Sequence, residues 1–140
     1  MLPIIIHTAE SFCKHQLQLP YEQSDEDSKK RTFLAYIDIE SQNNKMYRVF
    51  IGCDEPLIQT ITKTFLGEDY YDEPTLIDML LETTNMIVGS AKVLAAELYE
   101  TSMTIMTPFY MGEFLPIENP NEKKFLTIDN GKMMIAMQRL

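Results

Sequence analysis

"TLIDMLLETTNMIVGSAK", residues 75–92, has the length and apolar content of a core helix, yet Asp78, Glu82 and Asn85 interrupt it and Gly89 sits within it. Successive helical residues advance about 100° around the axis. With Glu82 as origin, Asp78 and Asn85 fall within about 60° of it on the same side. Gly89 lies close to Glu82 further along, and Lys92 beyond it near the Asn85 edge. Ile77, Leu80, Thr84, Ile87, Ala91, Leu94, Ala95 and Leu98 collect opposite and read as the buried face. Met79, Met86 and Val93 fall on one flank of the polar line, and Leu81 on the other. A solvated helix face accounts for the charges. A ridge that docks another protein accounts also for Gly89, since a helix-interior Gly costs roughly 1 kcal/mol against Ala. Gly would let a partner approach the backbone, with the methionines as an apolar rim.

Pro74, preceded by Asp72 and Glu73, starts this helix, which can run to about Glu100. Upstream, "CDEPLIQTITKTFLG" (53–67) predicts another helix, opened by Asp54, Glu55 and Pro56 and stopped by Gly67. Leu57, Ile58, Ile61, Phe65 and Leu66 give it an apolar stripe. Before it, "TFLAYIDIE" (32–40) and "MYRVFIG" (46–52) alternate and read as an antiparallel hairpin around the turn "SQNNK". Phe33, Ala35, Ile37 and Ile39 share one side of the first strand, and Tyr47, Val49 and Ile51 one side of the second. Downstream, "SMTIMTPFYM" (102–111) predicts a strand and "GEFLPIENPNEKK" (112–124) a Pro-bearing loop. "FLTIDNGKMMIAMQRL" (125–140) predicts a hairpin with Asn130-Gly131 as its tight turn. "YEQSDEDSKKR" (21–31) reads as an exposed loop. Residues 1–20 fit either a short helix after Pro3 or, in their second half, a strand. The fold class is α+β, a largely antiparallel sheet with helices packed on one face and the long helix of about 74–100 exposed on one side. The 140 residues fit one domain spanning 1–140, with the structure of 1–31 left open.

The net charge of −9 and pI of about 4.6 argue against nucleic acid and anionic membrane surfaces as partners. No run approaches the ~20 apolar residues of a membrane helix, and the start lacks a basic n-region, so a cytoplasmic protein is expected. Cys13 and Cys53 read as buried thiols, and the strand methionines as core filling. No metal-ligand spacing, Gly-rich phosphate loop or Ser/Cys–His pairing stands out; His7 and His15 both lie in the ambiguous N-terminal segment. The ridge by itself has no nucleophile. An Asn side chain, with one acceptor and two donors, can hold a water in another protein's active site.

Asp78, Glu82 and Asn85, followed after 22 residues by Pro108, together with Gly89 four residues past Asn85, resemble the signature of the CheC/CheX/FliY family of chemotaxis phosphatases. The resemblance covers roughly residues 32–138 and is nearest to the CheX-like members. A single copy of the signature favours that branch over the CheC-like one. The resemblance implies hydrolysis of the phospho-aspartate of a CheY-like response regulator. It implies that Asn85 orients the attacking water, that Glu82 pairs with a regulator lysine, and that Pro108 is structural. Asp78, Met79, Met86, Gly89 and Lys92 would touch the regulator. It implies no cofactor in this chain, since Mg²⁺ belongs to the regulator, and a homodimer as an expected assembly. The competing reading is a non-catalytic module that docks a receiver domain or flagellar switch component.

Overall fold

The hairpin anticipated at 32–52 is the centre of the sheet. In the computed structural model, which describes residues 1–113 and 122–140, β2 (Thr32–Ser41) and β3 (Met46–Asp54) pair antiparallel from Thr32 opposite Asp54 to Glu40 opposite Met46. The chain begins with α1 (Leu2–Ser11), which runs on as a π-helical segment (Phe12–Leu17), and then forms β1 (Tyr21–Ser24). After β3 come α2 (Glu55–Leu66), α3 (Glu73–Tyr99), β4 (Met103–Ile105), β5 (Phe109–Glu113), β6 (Glu122–Ile128) and β7 (Gly131–Arg139). The strands form one seven-stranded antiparallel sheet in the order β1-β6-β7-β3-β2-β4, with β5 also on β2. The architecture is the expected α+β.

Alternation decides the layers. Phe33, Ala35, Ile37 and Ile39 of β2 and Val49, Ile51 and Cys53 of β3 are buried in one core, which they share with Met133, Ile135 and Met137 of β7 and residues of all three helices. The next residues along each strand point the other way. Leu34, Phe50 and Ala136 form a smaller cluster there with Tyr36, Met111 and Met134 at its edge. Both interior helices start on an Asp whose carboxylate takes an orphan backbone N–H: Asp54 from Leu57 at 3.2 Å, Asp72 from Thr75 at 3.1 Å. Gly67 closes α2 in the left-handed region, with φ 92°.

Several expectations need correction. Of the two readings left open for the N-terminal segment, Leu2–Leu17 takes the helical one: Leu2, Ile5, Ala9 and Phe12 form a buried stripe at helical spacing, which outweighs the β-branched isoleucines. Tyr21–Ser24 is not loop but an edge strand, since β6 offers it a free ladder. The stretch at 102–111 is two strands, because Pro108 has no N–H to donate and sits between β4 and β5. The last hairpin turns on Asp129-Asn130, with Gly131 already paired to Ile128. Gly131 is there for close packing: a Cβ would lie 2.8 Å from Asp54 Oδ1 and from Leu57. In the last turn of α2, Phe65 and Leu66 are exposed, and Phe65 stacks on Phe12 at 6.1 Å between centroids. Met106 is exposed and does not fill the core, while Met134 is half-buried against the smaller cluster. The Pro-bearing loop lies mostly outside the described residues; at its ends Gly112 and Glu113 belong to β5, and Glu122 already opens β6.

Candidate functional site

α3 is held from three sides. It packs on β2 and β4 below and on α1 and α2 beside. Its start is fixed by the Asp72 cap and by Arg31, whose guanidinium bonds Glu73 at 2.9 Å, reaches Glu55 at 3.8 Å and also bonds Glu113. One arginine thus gathers the N-termini of both interior helices and the end of β5. Midway along, the Thr8 hydroxyl of α1 donates to the Ile87 carbonyl of α3 at 3.0 Å. A helix with two helical neighbours needs a broad apolar arc, and α3 buries Leu76, Met79, Leu80, Thr83, Thr84, Ile87, Val88, Ala91 and Ala95.

What remains outside is the polar ridge. Asp78, Glu82, Asn85 and Lys92 are all exposed, and Met86 and Gly89 are half-buried beside them. Met79 does not belong to the rim: it is 8% exposed and part of the main core, because the arc is wider than a helix on a flat sheet would need. Leu98 errs the other way at 64% exposure, in a last turn where Ala96, Glu97, Tyr99 and Glu100 are also exposed. Val93 remains on the rim at 55%. A Cβ built on Gly89 meets nothing within 4 Å, so packing within this chain does not require the glycine.

Beside the ridge runs an open groove of about 470 Å³ between α3 and the N-terminal helical segment. Asn85, Met86, Gly89 and Val93 lie on its α3 wall; Ser11, Phe12, His15 and Gln16 form the facing wall. His15 is the residue that sequence reasoning passed over. Its signal was available only through the Leu2-Ile5-Ala9-Phe12 stripe, which sets the N-terminal segment against α3. His7 and Pro108 do not line this groove. Pro108 is half-buried at the β4–β5 break, where the resemblance's structural role for it fits.

The chemistry at hand is positional. Burial pushes the Cys13 thiol up to about 12, with Glu10 adding to it, and burial raises Cys53 well above its ordinary value too. Neither sulfur is a nucleophile at neutral pH. Among the described residues, no group of three or more His, Cys, Asp or Glu comes together to hold a metal ion, and no helix is long and apolar enough to cross a membrane. The ridge offers an amide and two carboxylates on a rigid helix, open to whatever meets it.

Known proteins share the family and the fold. The family model "Chemotaxis phosphatase CheX" matches residues 34–130. The chain is similar in structure to the chemotaxis protein CheX of Vibrio vulnificus (TM-score 0.83, 19% identity, 99% of this chain and 95% of that one). It is similar to CheX of Desulfovibrio desulfuricans (TM-score 0.75, 14% identity, 99% and 97%). It also resembles CheX of Borrelia burgdorferi, solved in a complex with CheY, BeF3 and Mg²⁺ (TM-score 0.70, 15% identity, 98% and 96%). No curated protein sequence matches. A family match over well more than half of the chain, on a fold shared along nearly its whole length, places this protein in the chemotaxis phosphatase CheX family.

Proposed function

We propose that this chain hydrolyses the phospho-aspartate of a CheY-like response regulator, with Asn85 orienting the attacking water and Glu82 contacting the regulator. The observation that carries this reading is the exposed line of Asp78, Glu82 and Asn85 on a helix whose opposite face is core. Such a ridge can enter a second protein without refolding. The CheX of Borrelia burgdorferi that is solved in complex with CheY supports the choice of partner.

In the reaction, the water oxygen attacks phosphorus in line. The bond from phosphorus to the aspartyl oxygen breaks, the carboxylate leaves with the electron pair, and the water's protons remain with inorganic phosphate and solvent. The leaving group needs no general acid, since a carboxylate is stable as it departs. The Asn85 amide oxygen accepts from the water and fixes its approach, so the contribution is orientation rather than proton transfer. Mg²⁺, in this account, is the regulator's own and neutralises charge on the phosphoryl oxygens. Met86, Gly89 and Lys92 form the contact surface around the ridge, and Asp78 extends it at the other end.

The test is the rate of phosphoryl loss from CheY-type receivers with and without sub-stoichiometric protein. Turnover supports the phosphatase. Binding to the phosphorylated receiver without turnover would leave the docking module instead.

A further inference from the structure

The groove beside Asn85 has a second wall that does not belong to α3, and we infer that this wall, through His15 and Gln16, binds the receiver on which the ridge acts. The inference rests on the phosphatase reading and extends its contact surface to the N-terminal segment.

Three observations carry it. First, the groove is continuous with the ridge, because Asn85 and Gly89 belong to both. A regulator that seats its phosphoryl group against Asn85 cannot avoid the groove. Second, the groove is built like a docking surface. Phe12 and Ile87 are buried at its base, while His15, Gln16 and Ser90 are exposed along its edges. An apolar floor with a polar rim suits one face of a partner's helix. Third, the segment bearing His15 and Gln16 is held in an uncommon conformation. Residues Phe12–Leu17 are π-helical and end at Gln18 in the left-handed region, with φ 56°. Single π-turns are rare and recur at functional sites. Phe12, Cys13 and Leu17 anchor this segment in the core while Lys14, His15 and Gln16 face out. Among the described residues neither the His15 nor the Gln16 side chain makes a hydrogen bond or ion pair, so both are available to a regulator.

The experiment compares steady-state kinetics on the phosphorylated regulator for wild type, the double variant His15→Ala/Gln16→Ala, and Asn85→Ala. Both groove residues are exposed, so the melting temperature of the double variant should match wild type. The expected result is a KM raised about tenfold with kcat within twofold. Should the double variant melt early, Ser90→Tyr, which fills the groove from the α3 side, must give the same KM rise. An unchanged KM, or a loss confined to kcat, overturns the inference; if Asn85→Ala is still inactive, the phosphatase reading stands without it. No turnover by wild type on any receiver overturns both.

Discussion

The Thr8 hydroxyl of α1 lies 3.0 Å from the main-chain carbonyl of Ile87, two residues beyond Asn85 in α3. The same oxygen lies 3.0 Å from the Ile5 carbonyl, so its single proton is shared between a bond within α1 and a bond across to α3. Thr8 is buried, and this bond joins the two walls of the groove close to Asn85. Thr8→Val keeps the shape and removes the proton. It should lose about 1 kcal/mol of stability and speed amide exchange in α1 and around Ile87. Denaturant unfolding and hydrogen exchange check both; unchanged protection across the two helices would mean the bond contributes nothing.

Gly89 should show stability and activity moving in opposite directions. With nothing within 4 Å of the position a Cβ would take, Gly89→Ala gains helix propensity and meets no clash, so the fold should become more stable by roughly 1 kcal/mol. With the regulator docked on the ridge as proposed, the same methyl would obstruct it, and dephosphorylation should fall by about tenfold. A variant that is both more stable and equally active would show that close approach is not the reason for the glycine.

Much of this arrangement was legible in the sequence, for identifiable reasons. The central hairpin places its main-core residues at every second position, Phe33, Ala35, Ile37 and Ile39 on one strand and Val49, Ile51 and Cys53 on the other, and each interior helix carries an Asp cap and a Pro within its first turn. The ridge was legible because Asp78, Glu82 and Asn85 share one side at helical spacing. What failed depended on neighbours that one element cannot report. Met79 is buried because α3 has helices on both sides. The Tyr21–Ser24 strand is polar and exposed, and exists only because β6 has a free edge beside it. The groove was missed for a related reason: its far wall comes from residues some seventy positions away, in a segment whose local pattern suited a strand equally well.

Asp54 ties three parts of the chain together and should be costly to remove. One carboxylate oxygen caps α2 at Leu57; the other accepts from the Ser28 hydroxyl at 2.8 Å and the Lys132 N–H at 2.9 Å. Asp54→Ala should cost about 2–4 kcal/mol, since a cap is lost and buried donors are orphaned. Gly131→Ala should destabilise as well, because its Cβ would meet the Leu57 backbone nitrogen at 2.8 Å. Urea midpoints measure both, and a wild-type midpoint for either would contradict the packing described.

Acid should weaken the fold through specific carboxylates. Hydrogen bonds from the Thr75 hydroxyl and N–H hold Asp72 below its usual range, and Arg31 and Lys63 do the same for Glu113 and Asp69. These folded-state values lie below the unfolded ones. Their stabilisation is therefore complete above the unfolded carboxylate range, about pH 4, and is lost as pH falls through the depressed values. Stability should be level from pH 7 to about 5 and decline below, more gently at high salt, where exposed pairs are screened. Asp72→Asn keeps a capping acceptor but no longer titrates, so its acid limb should be shallower. An acid limb as steep as wild type would exclude Asp72 from the effect.

The central claim is tested most directly by measuring phosphoryl decay on a CheY-like receiver with wild-type protein and with Asn85→Ala, alongside affinity for the phosphorylated receiver. Asn85 is exposed, so the variant should fold and bind as wild type does. The account predicts acceleration by wild type and a loss of at least about 100-fold in the variant with affinity retained. Equal acceleration by both proteins would contradict it, since the water would then be positioned by something other than Asn85.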